Sequence, residues 1–191
     1  MTKSTPRKLV VFVEGAVMAA AAMALSYIPI EAPNAAFDLS LGLIPIAVYS
    51  IRRGTLPGVV AGFVWGVLKI LIGKPYILSI PQVIFEYPFA FAFAGFAGVL
   101  ALKVRRAVAE KKTGRTLTLV SVSMAIGVFA RWFWHFWAGV IVWGDYAPEG
   151  MSPYLYSLLF NGASFLANTA MLIIIIFALA KTAPRLFLPA E

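Results

Sequence analysis

Six apolar windows, at residues 8–30, 39–51, 55–73, 80–102, 117–143 and 153–180, are separated by short segments that hold most of the charge. In lipid every backbone N–H and C=O must be satisfied within the chain, so an apolar run of about 20 residues crosses the hydrocarbon core as a helix. The expected fold is an all-α membrane protein of six transmembrane helices, a single polytopic domain over 1–191 that leaves no room for an appended soluble one. The second window has about 13 residues and contains Pro45. At 1.5 Å per residue it reaches only roughly 20 Å, so its neighbours must shelter it. The composition, 61% hydrophobic and 13% charged, carries more apolar surface than an ordinary soluble domain can hide.

The net charge of +8 could point to nucleic acid, but the basic residues sit in short loops between apolar windows, which points to a membrane surface. Placing the N-terminus inside puts 13 of the 16 basic residues, among them Lys8, Arg52, Arg53, Arg105, Lys112 and Lys181, on the cytoplasmic side. Lys69 and Lys74 remain outside, and Arg131 lies within the fifth window. The positive-inside rule selects this orientation, with both termini cytoplasmic. Glu31, Asp38, Asp145 and Glu149 then fall in outer loops and make the outer mouth acidic. The start MTKSTPRKLV resembles a signal peptide only superficially and is read as leading into a retained first span.

The windows EGAVMAAAAMALS and FAFAFAGFAGVLA carry Ala and Gly at four-residue spacing, which lets helices approach closely. In the first window the run Ala19 to Ala22 exceeds what one intramolecular neighbour needs, so this helix is also a candidate docking face for another membrane subunit. The sequence 103–116 reads as a charged cytoplasmic loop, partly helical.

The chain has no phosphate-binding loop, no HExxH, no GxSxG, no cysteine and one histidine, so neither catalysis nor a metal or cofactor site is expected. Ionisable groups inside a membrane need a partner or a purpose. Four stand out: Glu14, Glu86, Arg131 and His135. Glu14 and Arg131 are read as structural, satisfying each other or backbone groups.

Counted from the outer helix ends, Glu86 lies roughly 8 Å deep and Trp65, His135 and Asn161 roughly 12 Å. Around them stand FEYP (85–88), RWFWHFWAGVIVWGDYAP (131–148) and YLYSLLFNG (154–162). An interfacial aromatic belt would explain the Trp and Tyr residues alone, but gains nothing from buried polar groups at the same depth. Trp143 follows His135 by eight residues, about 80° around a helix, so both can face one cavity. Pro88 is expected to disturb the helix next to Glu86. A carboxylate beside aromatic faces suits a flat cation through Coulomb attraction and cation–π contact. The residues themselves therefore point to a cationic heteroaromatic ligand in a pocket near the extracellular side.

FEYPFAFAFAGFAG, WHFWAGVIVWGDYAP and YSLLFNG, three separated blocks in order, resemble the thiamine-specific substrate-binding subunits of energy-coupling factor transporters. The resemblance runs from the first window to the sixth. It implies six helices enclosing thiamine, with uptake powered by a transmembrane coupling protein and two cytoplasmic ATPases in a bacterial cell membrane. It also implies that Glu86 contacts the aminopyrimidine, Tyr87 bonds the hydroxyethyl end, and His135 and Trp143 stack on the ligand. Tyr156 and Asn161 match a hydrogen-bonding pair and Trp65 a wall of the pocket. Ala16 and Ala20 are one candidate pair for docking the coupling protein. Where the family commonly carries a tryptophan in the loop between the first two helices, this chain offers Phe37, in a segment, 31–38, expected to close over the ligand. Periodicity alone places Tyr154, not Tyr156, on the stripe of Asn161. Alternatives are a related subunit for another vitamin or a thiamine precursor, an intramembrane enzyme using Glu86 and His135, and a membrane scaffold.

Overall fold

The computed structural model describes residues 7–28, 30 and 38–189. Over these residues the chain is helical: α1 (Arg7–Leu25), α2 (Leu43–Arg53), α3 (Thr55–Ile72), α4 (Ile80–Gly98), α5 (Ala101–Ala109), α6 (Thr113–Ile141) and α7 (Pro153–Thr182). Five of them, α1, α3, α4, α6 and α7, are long and apolar enough to cross a membrane. The 11-residue α2 is not, and its shelter is plain: Leu43 and every residue from Pro45 to Ile51 are buried, among α1, α3, α4, α5 and α7.

Several helix ends differ from those read in the sequence, each for a local reason. The first helix stops at Leu25 rather than 30, where the Ser26 hydroxyl turns back to donate to the Ala22 carbonyl at 2.8 Å. Gly54, at φ 97°, separates α2 from α3, and its N–H closes onto the Ser50 carbonyl at 2.8 Å. A left-handed φ of this kind suits a residue without Cβ. Ser152 and Ser79 cap α7 and α4 with their hydroxyls, each followed by a proline in the first turn, where a missing N–H costs nothing. The stretch 103–116, read as a charged loop that is partly helical, is mostly helix. Ala101, Val104, Ala107 and Val108 of α5 are buried on one face, and α6 already begins at Thr113.

The Pro88 expectation resolves into a specific shape. The helix runs through the proline by widening, with a π-helical turn over Phe85–Phe89, a short α stretch, then a 3-10 stretch over Ala94–Gly98. Pro88 has no N–H to give the carbonyl one α-turn back, and its ring would collide with that carbonyl. One extra residue in the turn relieves both constraints.

The α3–α4 crossing is unusually close. Gly58, Gly62 and Gly66 of α3, one turn apart, lie against the backbone at Gly95, Phe91 and Tyr87 of α4, also one turn apart. A Cβ at Gly62 would land on the Phe91 carbonyl oxygen, and one at Gly66 would stand 2.5 Å from the Tyr87 carbonyl oxygen. Small residues permit such backbone-to-backbone packing, which must hold membrane helices where no hydrophobic effect drives them together.

At the end of the bundle carrying the N-terminus, Glu14 does not pair with Arg131. Arg53 donates to it at 2.5 and 2.8 Å and Arg52 at 3.4 Å. Arg52 also donates to the carbonyls of Arg185, Leu186 and Leu188, which fastens the segment after α7 to α2.

Candidate functional site

Towards the opposite end, the loop-side termini of α1, α3, α4, α6 and α7 surround a cavity of about 600 Å³, within the size range of small-molecule sites. The cavity gathers Glu86, Tyr87, His135, Trp143, Tyr156 and Asn161 on its lining. Of the other residues singled out in the sequence, Phe37 lies outside the described residues, as does most of the segment 31–38.

Trp65 requires a correction. It is fully buried and stands behind the wall rather than in it. Its ring centroid lies 4.3 Å from that of Phe91 with the planes 60° apart, and its indole N–H donates to the Ser26 hydroxyl at 3.1 Å; Phe91 and Ser26 are the residues that reach the cavity. Counting depth along a helix puts Trp65 at the right level but says nothing of how many residues stand between it and the space.

Trp143 reaches the cavity by a different route from the helical phase that suggested it. α6 ends at Ile141, and the N–H groups of Val142 and Trp143 both close on the Ala138 carbonyl. The chain then turns through a 3-10 segment, Gly144–Tyr146. This turn carries the indole across to α4, where its N–H donates to Glu86 at 2.5 Å. The second carboxylate oxygen of Glu86 accepts from the Gln82 side-chain amide. Among the described residues no Lys or Arg forms an ion pair with Glu86.

Arg131, by contrast, has a counter-charge. It is buried, stands 3.8 Å from the Asp38 carboxylate and packs its guanidinium 4.9 Å from the centre of the Phe91 ring. Asp38 is held from the other side by α7: its N–H donates to the Ser164 hydroxyl at 3.0 Å and its carbonyl accepts from Asn168 at 2.7 Å. Asn168 also accepts from the Ser40 N–H at 2.9 Å. One helical turn beyond Arg131, His135 faces the cavity with Nε2 unpaired, and the Arg131 Nε and Trp132 Nε1 are likewise buried without partners among the described residues. Buried donors and acceptors are normally satisfied; the three on this wall can meet a polar ligand, while Ser123, Trp134 and Thr169 hold unpaired atoms away from the cavity.

On α7, Asn161 donates to the Ser157 hydroxyl at 3.1 Å, which donates to the Phe136 carbonyl at 2.7 Å. Tyr156 lines the cavity, packed at 4.5 Å against Phe160. Tyr154, favoured by periodicity, is exposed and sits against Trp137 on the outer side. The helical wheel fails here because the cavity-facing stripe on α7 is wide, spanning 156–157, 160–161, 164–165 and 168, and Tyr154 lies in the first turn beyond it.

Sequence reasoning missed Gln82, Ser157, Ser164 and Asn168. A signal existed for them: 157, 161, 164 and 168 are polar residues at helical spacing in an otherwise apolar run, and Gln82 stands one turn before Glu86. Tyr76 and Asp38, which lie between helices, had no periodic signal.

Membrane-length helices closed around an aromatic cavity, with a carboxylate that forms no ion pair among the described residues, define a membrane protein built to hold a small molecule. A family model described as thiamine transporter protein matches residues 12–188, and the chain belongs to that family, which is one of transport proteins and not of enzymes. It is 42% identical over 188 residues to the thiamine transporter ThiT of Lacticaseibacillus paracasei, covering 97% of this chain and 94% of that one. With ThiT of Bacillus subtilis it shares 31% identity over 183 residues, 94% of this chain and 95% of the other. A solved structure of ThiT from Listeria monocytogenes superposes with a TM-score of 0.92 at 43% identity, over 96% of this chain and all of that one.

Proposed function

We propose that this chain captures thiamine in the cavity beside Glu86, as the substrate-binding subunit of an energy-coupling factor importer in a bacterial cytoplasmic membrane. The observation that carries the reading is the state of Glu86. Its carboxylate meets two neutral donors, the Trp143 indole and the Gln82 amide, and forms no ion pair among the described residues, Lys69 standing elsewhere on the cavity wall. A charge inside a membrane is costly without a partner, and a cationic ligand supplies one.

In this reading the aminopyrimidine lies at Glu86, between the aromatic faces of His135 and Trp143. Tyr87, whose hydroxyl oxygen already accepts from the Tyr76 N–H at 3.1 Å, keeps its proton to donate to the hydroxyethyl end. Tyr156 and Asn161 give directional bonds that fix orientation. Phe37 would take the place of a loop tryptophan. Trp65 acts one layer back, holding Phe91 and Ser26 in place.

The same reading makes α2 the sixth, sheltered span of a single domain over 1–191, with both termini cytoplasmic and the cavity towards the extracellular side. The excess of Lys and Arg in the loops at the N-terminal end supports that orientation. Ala16 and Ala20, exposed on the side of α1 turned away from Gly15, Ala19 and Ala22, are a docking surface for the coupling protein, whose two ATPases supply the energy.

Titrating thiamine into purified, detergent-solubilised protein while following tryptophan fluorescence tests the proposal. Saturable quenching that Trp143→Phe largely removes is expected. No quenching by thiamine but quenching by another vitamin would change the ligand, and none by any vitamin would leave a scaffold.

A further inference from the structure

Gln82 lies one turn before Glu86 on α4 and is fully buried. Its side-chain amide is engaged on every side. The oxygen accepts from the Leu78 N–H at 3.1 Å, and the nitrogen donates both to the Tyr76 carbonyl at 3.1 Å and to the Glu86 carboxylate. Residues 76 and 78 belong to the connection between α3 and α4, so one amide ties that connection to the carboxylate.

The tie is part of a closed circuit. Tyr76 packs its ring 5.4 Å from that of Trp143, Trp143 donates to Glu86, and Glu86 accepts from Gln82, which holds Tyr76. Tyr76, Glu86 and Trp143 all line the cavity. The chemistry of this position asks for an amide. Two donors and one acceptor are needed at once. A carboxylate would offer no donor, and an aliphatic chain would leave the Leu78 N–H and the Tyr76 carbonyl without partners in a buried place.

We propose that Gln82 is a positioning residue for ligand recognition. It helps to aim the Glu86 carboxylate into the cavity and, with the Tyr87 hydroxyl that accepts from the Tyr76 N–H, holds the Tyr76 ring against Trp143, so that one side chain that does not line the cavity links the anion and the aromatic face presented to the ligand. This rests on the reading that thiamine binds beside Glu86, and the test separates the two.

Thiamine affinity is measured by fluorescence titration of the full-length protein in detergent for the wild type, Gln82→Met, Glu86→Gln, Glu86→Ala and the Gln82→Met/Glu86→Ala double variant, with monodispersity and Tm recorded for each. Gln82→Met is expected to weaken binding by about 10-fold or more in the wild-type background and by a clearly smaller factor when Glu86 is already Ala, because the part that acts through Glu86 is lost with its acceptor while the part that acts through Tyr76 remains. Gln82→Asn, which keeps the amide but shortens its reach, takes the place of Gln82→Met in the same cycle if the latter does not purify as a monodisperse species. If Glu86→Gln binds thiamine as the wild type does, the site reading fails and the inference fails with it. If Glu86→Gln weakens binding but the Gln82 variants either bind normally or cost the same in both backgrounds, the site stands and Gln82 is a packing residue only.

Discussion

Glu86 and Arg131 are both ionisable side chains within membrane-length helices, and the protein treats them in opposite ways. Arg131 is matched by Asp38 and laid over an aromatic ring, whereas Glu86, among the described residues, receives neutral donors alone. Removing each charge should therefore have different consequences. Glu86→Gln keeps the shape and should weaken thiamine binding about 10- to 100-fold, the equivalent of the ~1.5–3 kcal/mol of a hydrogen bond to a charged group, with little change in Tm; isothermal titration beside a thermal melt measures both. Asp38→Asn removes the counter-charge of a buried guanidinium and should lower Tm in detergent, by less than the loss of a fully buried pair would because the Asp38 side chain is 48% exposed. At this scale much of the site was legible. Glu86, His135 and Asn161 announce themselves as polar groups at one depth in apolar windows. What was not legible is who partners whom: Asp38 and Arg131 are 93 residues apart in the chain, and only folding brings α6 to the end of that loop.

Helix by helix, the pattern that matters most for the shape of the cavity is the glycine row of α3 facing the irregular α4. Gly62→Ala would put a methyl group into the Phe91 carbonyl and should destabilise the protein by roughly 1–3 kcal/mol, the usual cost of overpacking. Gly114→Ala, where a Cβ meets nothing within 4 Å, should be neutral or slightly stabilising. A pair of melting curves in detergent separates the two outcomes. Small-residue spacing was visible in the windows of α1 and α4, yet the row at 58, 62 and 66 is what sets the crossing. Knowing that a helix has a glycine face does not say which helix lies against it. Pro88 likewise signals a break in the sequence, but the structure shows a widened turn, holding Glu86 and Tyr87, that keeps α4 continuous.

For the molecule as a whole, the charge distribution makes a prediction about orientation. The chain contains no cysteine, so single cysteines can be read without background. Gly114→Cys should react with a membrane-impermeant maleimide only after permeabilisation, and Glu149→Cys in intact cells; the reverse pattern would invert the topology. By itself the sequence determined that the chain is a helical membrane protein, roughly where its helices lie, and which polar residues share a level, because lipid imposes backbone satisfaction and charge exclusion on each segment separately. The tertiary structure alone decided that Trp65 stands behind the wall and that Trp143 meets Glu86 through a turn, and it set Tyr156, which the motif pointed to, on the cavity in place of Tyr154, which periodicity favoured. Those outcomes depend on how neighbouring helices block or open a direction in space, and no single segment carries that information.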